Sequence, residues 1–385
     1  MSNTITNVLP KLLAQGLLAL RQNAIMTQLV NRNYQGLAMS PGNVINIPIP
    51  SAVTATNVTP SNVLASNQDV SPTVAVVTMD FWKEATFQLS DSDVMNVMAG
   101  TIPMQASEAI KALGNAVDNF ILGKHTGIFG ATGTPGTTPF NASLTAAANA
   151  KKLLTLQLAP LGDRRAVIDP SAEANFIQNA AVLNPFGPDN VATQGLIEGS
   201  IGKKLGIEWY VDQNISTYTP GTGWASGFIA STVAGVTGQS TLNVINATAS
   251  GQVKIGDIFN FTTSVDSAQQ QYVVTVTTTV SATVQSVITF YPPLKTAVAT
   301  GSTLIVVSGT YTVNMAFHRD AFAWVSRPLQ DIQGLGNEML TQTDPVSGIT
   351  LRLEVSRQYK QTTFSYDILG GAALIRPELA VKVFG

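Results

Sequence analysis

The sequence predicts an α+β fold in which one long helix lies between segments of β-structure. Thr101–His125 repeats apolar residues at steps of three and four, which is the period of one helix face. Two segments, 349–355 and 362–368, alternate apolar and polar residues, as a half-buried strand does. Residues 225–312 carry many β-branched residues and little helical period. With 385 residues, the chain is long enough for two or three domains.

The long helix is expected to bury one apolar stripe. Gly123 is expected to end it, with Lys124 and His125 placed where a cation suits the negative end of the helix dipole. The polar residues fall largely elsewhere on the helical wheel; they are Ser107, Lys111, Asn115, Asp118 and Asn119. The stripe consists of Ala106, Ile110, Leu113, Val117, Phe120 and Ile121.

The chain carries few charges for its size. Lys, Arg, Asp and Glu make up 11% of its residues, against about 25% in ordinary soluble domains, and the net charge is −2. No basic excess marks a surface for reading nucleic acid. The composition favours either a neutral secreted β-protein or a subunit that buries much of its surface against copies of itself. The absence of cysteine excludes disulfides, thiolate metal sites and cysteine nucleophiles.

A long two-stranded arm is predicted at about 44–80. Its first strand reads NVINIPIP, its second strand lies at 73–78, and a polar tip joins them. Between positions 33 and 79 the only charge is Asp69, whereas a solvated disordered loop normally carries more. We therefore expect the arm to lie on another subunit. Trp82 directly follows the arm, and we expect it to be buried as the anchor of the arm's base.

The remaining segments predict further helices and strands. Asp169 is expected to cap the helix that follows it, with Pro170 in the first position. Residues 225–312 are predicted to form an inserted β-barrel or sandwich. The other predicted elements are an amphipathic helix within 9–30, a helix at Leu144–Leu158, and strands at Phe81–Leu89, Arg164–Asp169, Ile207–Ile215 and Leu379–Phe384.

No motif for catalysis, metal binding or cofactor binding emerges. The two histidines, His125 and His318, are far apart and are expected to be ordinary surface or helix-end residues. No GxSxG segment precedes a helix, and no HExxH spacing occurs. We therefore predict that the protein is not an enzyme and needs no cofactor.

No apolar run approaches the ~18 residues of a membrane span. The most apolar N-terminal stretch, Leu12–Leu20, is short and is broken by Gln15 and Gly16. We predict neither a membrane span nor a signal peptide.

Six segments, in this order, resemble the major capsid (coat) protein of tailed double-stranded DNA bacteriophages, which has the Johnson-type capsid fold. The closest likeness is to the podovirus-type coat protein that carries an inserted β-domain. Together the segments sample most of the chain outside the insert. They read FWKEATFQLSDSD, EAIKALGNAVDNFI, RRAVIDPSAEANF, IGKKLGIEWYVDQNI, FHRDAFAWVSRPL and YDILGGAALIRPELAVKV.

The resemblance implies a subunit that self-assembles, in the host bacterial cytoplasm, into an icosahedral virion shell around packaged DNA. The implied partners are copies of itself in hexamers and pentamers, scaffolding and portal proteins, a decoration protein, and DNA bound without sequence specificity. The implied layout is an N-terminal helix and arm at 1–43, an extended β-hairpin at 44–80, a peripheral domain at 81–164 and 336–385 with 101–125 as its spine helix, an axial domain at 165–224 and 313–335, and an inserted β-domain at 225–312.

Ten residues are candidates for structural or interface roles, and Lys83 is expected to pair with its neighbour Glu84. Alternatives to the phage shell are an encapsulin-like container, a β-rich surface adhesin and, least favoured, an extracellular enzyme. The candidates are Trp82, Lys83, Glu84, Phe87, Leu113, Val117, Phe120, Trp209, Trp324 and Tyr366.

Overall fold

The computed structural model combines helices and strands, as predicted, and its described residues contain more strand than helix. The predicted helix within 9–30 and the tip of the arm lie largely outside the residues that it describes. Those residues are 13, 24–38, 42–51, 53, 55, 57, 72–92, 101–141, 143–179, 201–224, 228–230, 234–246, 250–261, 270–329 and 338–385.

Helices occupy the N-terminal half of the described chain. The cap at Asp169 is confirmed, because its carboxylate accepts the backbone N–H groups of Ser171 at 3.1 Å and Ala172 at 3.4 Å. The helices are α1 Met26–Leu29, α2 Gln35–Ala38, α3 Thr101–Leu122, α4 Thr145–Leu156 and α5 Pro170–Gln178.

The long helix α3 buries the predicted stripe except for Phe120, which is partly buried, and passes into a 3₁₀ turn, Gly123–Gly127. Two expectations about its polar residues are wrong. Asp118 is fully buried, because its carboxylate accepts the backbone N–H groups of Ile25 at 2.9 Å and Met26 at 3.1 Å at the start of α1. His125 is buried rather than placed as a surface cation at the helix end.

Strands make up most of the remaining regular structure. In chain order they are β1 Val44–Ile49, β2 Thr73–Thr78, β3 Phe81–Ser90, β4 Gly130–Thr132, β5 Arg164–Ile168, β6 Lys203–Lys204, β7 Ile207–Val211, β8 Thr217–Tyr218, β9 Phe228–Ala230, β10 Thr241–Asn246, β11 Gly251–Val253, β12 Ile258–Phe261, β13 Tyr272–Val274, β14 Thr278–Val280, β15 Gln285–Tyr291, β16 Leu304–Val306, β17 Tyr311–His318, β18 Phe322–Ser326, β19 Glu338–Thr343, β20 Thr350–Gln358, β21 Gln361–Leu374 and β22 Ala380–Phe384.

A five-stranded antiparallel sheet supports α3. Its order is β18-β21-β20-β19, and β3 pairs with β21 along its whole length, from Phe81 opposite Gly370 to Ser90 opposite Gln361. The predicted alternation holds, since Leu351 and Leu353 of β20 and Tyr366 of β21 are fully buried. Helix α3 packs on β3 and β21.

A second sheet joins segments from distant parts of the chain. Its order is β4-β22-β17-β5-β7-β6, with β22 parallel to β4 and β5 parallel to β7. The central strand β17 is buried at nearly every position. Trp209 of β7 packs against Phe176 of α5 at 4.7 Å between ring centroids. Two predicted strands prove shorter than expected, since β7 ends at Val211 and β22 begins at Ala380.

Residues between β8 and β17 form sheets of their own, as their β-rich sequence predicted. Six antiparallel strands lie in the order β16-β12-β13-β15-β10-β9, and β11 pairs with β14. The chain leaves and returns at one place, because Tyr218 of β8 pairs with Tyr311 of β17. A separate apolar cluster lies inside these strands; its aromatic members are Phe259, Phe261, Tyr272 and Phe290.

Two glycines let β21 approach its neighbours closely. A Cβ at Gly371 would fall on the carbonyl oxygen of Thr78 at the end of β2, and one at Gly370 would overlap the ring of Trp324. This part of β21 therefore accommodates both the base of the arm and a large core side chain.

We expect Gly371→Ala to lower the free energy of unfolding by about 1–3 kcal/mol, because the new methyl group must displace the backbone of Thr78. Gly36→Ala is the matched control, since a Cβ there meets nothing within 4 Å and lies in helix α2. Urea unfolding of the unassembled subunit gives both values. Equal midpoints for the two variants would contradict the close approach.

Candidate functional site

The arm presents one buried face and one exposed face. Strands β1 and β2 pair in antiparallel register, with Ile45 opposite Val77 and Ile47 opposite Ala75. Ile45, Ile47 and Val77 pack against Ala323 and Val325 of β18, within the same subunit. The alternation predicted from NVINIPIP is therefore confirmed in the described part of the arm.

The outward face of the arm carries no charge where it is described. Val44, Val74 and Val76 are each about half exposed there, at 53%, 55% and 49%, and Asn46 and Thr78 lie beside them. Exposed valines on an uncharged face are typical of a surface that contacts another protein.

Trp82 does not anchor the arm by burial, and that expectation is wrong. Its side chain is 62% exposed, and its indole Nε1 donates to Asp367 Oδ2 at 3.1 Å. Neighbouring residues of a strand point to opposite faces, so Phe81 takes the inward position instead. Phe81 lies 4.7 Å from Phe120 and 6.0 Å from Trp324 between ring centroids. At the base of the arm, Phe81 therefore packs into the core, and the side chain of Trp82 lies on the surface.

The Asp367 carboxylate that holds Trp82 also accepts two hydrogen bonds from Arg352, at 3.0 Å to Nε and 2.6 Å to a terminal nitrogen. The bidentate ion pair with Arg352 therefore fixes the Asp367 carboxylate, and that carboxylate holds the exposed indole of Trp82 through its hydrogen bond. The expected pair between Lys83 and Glu84 does not form, because consecutive strand residues diverge; both side chains are exposed.

The other candidates are core or partly buried residues. Phe87 stacks on Phe364 at 5.1 Å between ring centroids, and Lys124 Nζ lies 4.2 Å from the centroid of Phe120. Burial raises the pKa of Tyr366 to about 12, so its hydroxyl stays protonated. The candidates at most 5% exposed are Leu113, Val117, Trp209, Trp324 and Tyr366.

The junction between the inserted strands and the second sheet is organised by a buried carboxylate that the sequence did not single out. Asp257 is 1% exposed, and its oxygens accept the hydroxyl of Tyr218 at 2.8 Å and the indole N–H of Trp224 at 2.6 Å. They also accept the backbone N–H groups of Lys254 at 2.7 Å and Gly221 at 3.2 Å. One side chain therefore ties the turn before β12 to β8 and the segment after it.

A buried lysine faces this junction from the C-terminal strand. Lys382 of β22 is fully buried, and its Nζ donates to the carbonyl of Gly256 at 3.1 Å. Burial lowers the pKa of Lys382 to about 7, against the opposing effect of the Asp257 charge. The pKa of His125 falls to about 3, through burial first and then the charge of Lys382. His125 packs edge-on against the ring of Tyr218 at 5.6 Å.

Both histidines lie at helix ends, as one of the two expected alternatives, but both are buried: His125 is in the 3₁₀ turn after α3, and His318 precedes the 3₁₀ turn Arg319–Ala321. His318 is 8% exposed, its Nδ1 accepts the backbone N–H of Asp320 at 3.2 Å, and burial lowers its pKa. His125 Nδ1 has no hydrogen-bond partner.

In the described part of the chain, no three His, Cys, Asp or Glu side chains are grouped to hold a metal ion. No described helix has both the length and the apolar character needed to cross a membrane.

The chain is similar in structure to chains from two phage particles. A chain of a structure described as Mycobacterium phage Che8 matches with a TM-score of 0.53 and 16% sequence identity, over 94% of this chain and 90% of that one. A chain of the capsid of Ralstonia phage GP4 matches with a TM-score of 0.50 and 7% identity, over 92% of this chain and 86% of that one. No protein-family model and no curated protein sequence matches. The likeness shows a shared phage-capsid fold, which confirms the fold expected from the six sequence segments.

We expect Lys382→Met to remove a pH dependence of stability. In the wild type, the unfolded chain keeps an ordinary lysine pKa near ~10.4 and binds a proton that the folded state lacks above about pH 7. Stability should therefore rise with pH between about 7 and 10, by up to about 1.4 kcal/mol per pH unit from this group.

Urea unfolding of the unassembled subunit at several pH values measures this slope. Lys83→Met, at an exposed position, is the control and should retain the wild-type slope. A Lys382→Met variant with the wild-type slope would show that this amine is not the titrating group.

Proposed function

We propose that this protein is the major capsid protein of a tailed double-stranded DNA bacteriophage and assembles into the icosahedral shell that encloses the packaged genome. The observation that carries this proposal is the likeness to a chain of the Ralstonia phage GP4 capsid over 92% of this chain. The assembled protein would be found in the virion, after assembly in the host cytoplasm.

The composition supports a subunit with several interfaces. Only 11% of the residues are charged, and the described arm exposes valines rather than charges. A stable interface buries about 1,600 Å² in total, and the core of such an interface is depleted of charge. We propose that the outward face of the arm, with Trp82 at its base, contacts a neighbouring copy in hexamers and pentamers.

The proposed domain division follows the expected layout, with the arm at 44–80, the peripheral domain at 81–164 and 336–385, the axial domain at 165–224 and 313–335, and the insert at 225–312. The separate apolar cluster within the inserted strands supports the last of these. The second sheet combines strands from the peripheral and axial parts, so those two parts share a core. A scaffolding protein, a portal protein and a decoration protein are the further partners proposed.

The full-length protein tests the proposal directly, with and without a scaffolding protein co-expressed. Sedimentation and electron microscopy should show large uniform icosahedral particles. A monomer or small oligomer under every assembly condition would contradict a shell function. If particles made in an infected host enclose DNA and particles made by expression alone do not, the result would support a phage shell rather than an encapsulin-like container.

We expect Trp82→Ala to leave the subunit folded and to reduce particle yield at least tenfold. The loss of one hydrogen bond to Asp367 should cost the subunit only about 1 kcal/mol, because the indole is largely exposed. An aromatic residue at the centre of an interface, in contrast, can contribute about 2 kcal/mol or more to binding. Circular dichroism of the subunit and sedimentation of particles measure the two effects separately.

Trp82→Phe is the matched control, since it keeps an aromatic surface and loses the N–H donor. This variant should assemble. Normal particle yield from Trp82→Ala would exclude Trp82 from the interface, and an unfolded Trp82→Ala subunit would show a structural role instead.

A further inference from the structure

The end of helix α4 leaves three leucines in solvent. Leu156 is 52% exposed, Leu158 is 88% exposed and Leu161 is 73% exposed. No charged residue occurs in the sequence from 153 to 162. Single exposed apolar residues are normal on a protein surface, whereas three within six positions form a patch of the kind that contacts another protein.

Leu158 contributes little to the stability of its own chain. Its N–H donates to the carbonyl of Thr155 at 3.1 Å, and the N–H of Ala159 donates to the carbonyl of Leu154 at 2.9 Å. This Schellman pattern ends a helix with a left-handed residue, usually glycine, and Leu158 has that conformation, with φ at +61°. A leucine here carries a steric cost that glycine avoids, and its side chain gains no burial in return. A contact with another molecule would account for both features.

A cavity of about 380 Å³ opens beside this leucine. It lies between the end of α4 and the end of strand β15 of the insert, where the rings of Phe129 and Tyr291 meet edge to face, 5.8 Å apart between centroids. The surface therefore combines a projecting leucine with a depression that can take an apolar side chain. The apolar residues that line the cavity are Phe129, Leu153, Leu156, Leu158, Tyr291 and Pro292.

The two charged residues in the wall of this cavity have opposite signs and do not pair with each other. Lys295 is exposed and forms no ion pair with any described residue. Glu378 is partly exposed, and its Oε1 lies 3.2 Å from Nε of Arg376. A matching surface would present an anion to Lys295 and a cation to Glu378, which is the same pair in reverse.

We propose that this surface pairs with the same surface of a second copy about a two-fold axis. Leu158 of each copy would enter the cavity of the other, and Lys295 of each copy would face Glu378 of the other. A two-fold interface must be self-complementary, because one surface carries both halves of every contact. This surface carries both halves, since the projecting leucine lies beside the cavity and the cation shares that cavity with the anion.

The pairing goes beyond the shell function proposed above and does not depend on it. A contact centred on one such cavity is smaller than a standard interface, so two isolated subunits should pair only weakly. In a shell, other contacts would hold the copies close together and raise their effective concentration. The pairing would then join subunits that a two-fold axis relates.

Cross-linking between copies tests the pairing. The chain has no cysteine, so introduced thiols report contacts without background. Two differently tagged copies, one with Lys295→Cys and one with Glu378→Cys, are co-expressed and treated with a short bismaleimide. A product that carries both tags should form in several times the yield of a control with Lys360→Cys in place of Lys295→Cys, because Lys360 is exposed outside the cavity. A yield no higher than this control, in concentrated subunit and in particles alike, would overturn the proposal.

The two substitutions in one chain test the two-fold symmetry. Two copies that pair about a two-fold axis satisfy each other, so cross-linking should stop at the dimer on a denaturing gel. Head-to-tail contact of the same residues would continue from copy to copy and give a ladder. A ladder would contradict the two-fold arrangement.

Leu158→Gly separates pairing from folding. Glycine suits the left-handed backbone, so the urea midpoint of the unassembled subunit should not fall, while the cross-link yield should drop by roughly tenfold. Leu205→Gly is the matched control, because Leu205 also has a positive φ of +56°, is partly exposed and lies outside the cavity. It should keep the wild-type cross-link yield. An undiminished yield from Leu158→Gly would exclude the leucine from the contact and overturn the proposal.

These outcomes distinguish the pairing from the shell function. Particles without the cross-link would overturn the pairing and leave the shell function standing. Cross-linked dimers from a protein that never forms particles would support the pairing and contradict the shell. A loss of particles in Leu158→Gly, without any cross-link between Lys295→Cys and Glu378→Cys copies, would assign the patch to a different occupant and overturn the proposal.

Discussion

The pairing of β3 with β21 is the constraint on which the rest of the subunit depends. Residues Phe81–Ser90 lie antiparallel to Gln361–Gly370, so a segment that directly follows the arm is bonded to one nearly 300 positions later. Helix α3 packs on these two strands, and β18 and β20 pair with β21. The arm leaves from the end of this pairing, where Gly371 admits the carbonyl of Thr78. Rearranging either strand would therefore disturb the helix, the sheet and the direction of the arm together.

The spacing of apolar residues along the sequence was sufficient to predict the helix and strands that bury one face. The alternation at 349–355 and the stripe on α3 led directly to buried faces, and the cap at Asp169 needs only its own next three residues. Trp82 shows the limit of this reasoning. The hydrophobic character of Trp82 suggested burial, but neighbouring strand residues point to opposite faces, so only one of Phe81 and Trp82 can face the core. The sequence alone shows that these two rings point in opposite directions. Which of them points inward depends on the contacts of Phe81 with Phe120 and Trp324.

The sequence could not indicate the polar groups that join distant segments. Asp257, Lys382 and Asp118 each resemble an ordinary surface charge in their local context, because their neighbours give no period that places them inside. Each becomes buried only when segments from far apart in the chain meet. Asp257 lies between β8 and β12, Lys382 faces Gly256, and Asp118 caps a helix 92 residues before it. Candidate residues chosen for their aromatic or apolar character were mostly core residues, so the junctions of the fold were missed.

These junctions bear on how a shell of such subunits would be held together. Asp257 and Lys382 are buried at an internal joint, and Asp118 is buried at another, although the chain has few charges to place. The described arm is left with valine, asparagine and proline on its outward face. Contacts between subunits would then depend on apolar burial and neutral hydrogen bonds, which salt screens little, while buried polar side chains hold the parts of each subunit together. Because a buried polar group that loses its hydrogen-bond partner is costly, the internal joints should resist rearrangement more than the contacts between subunits do.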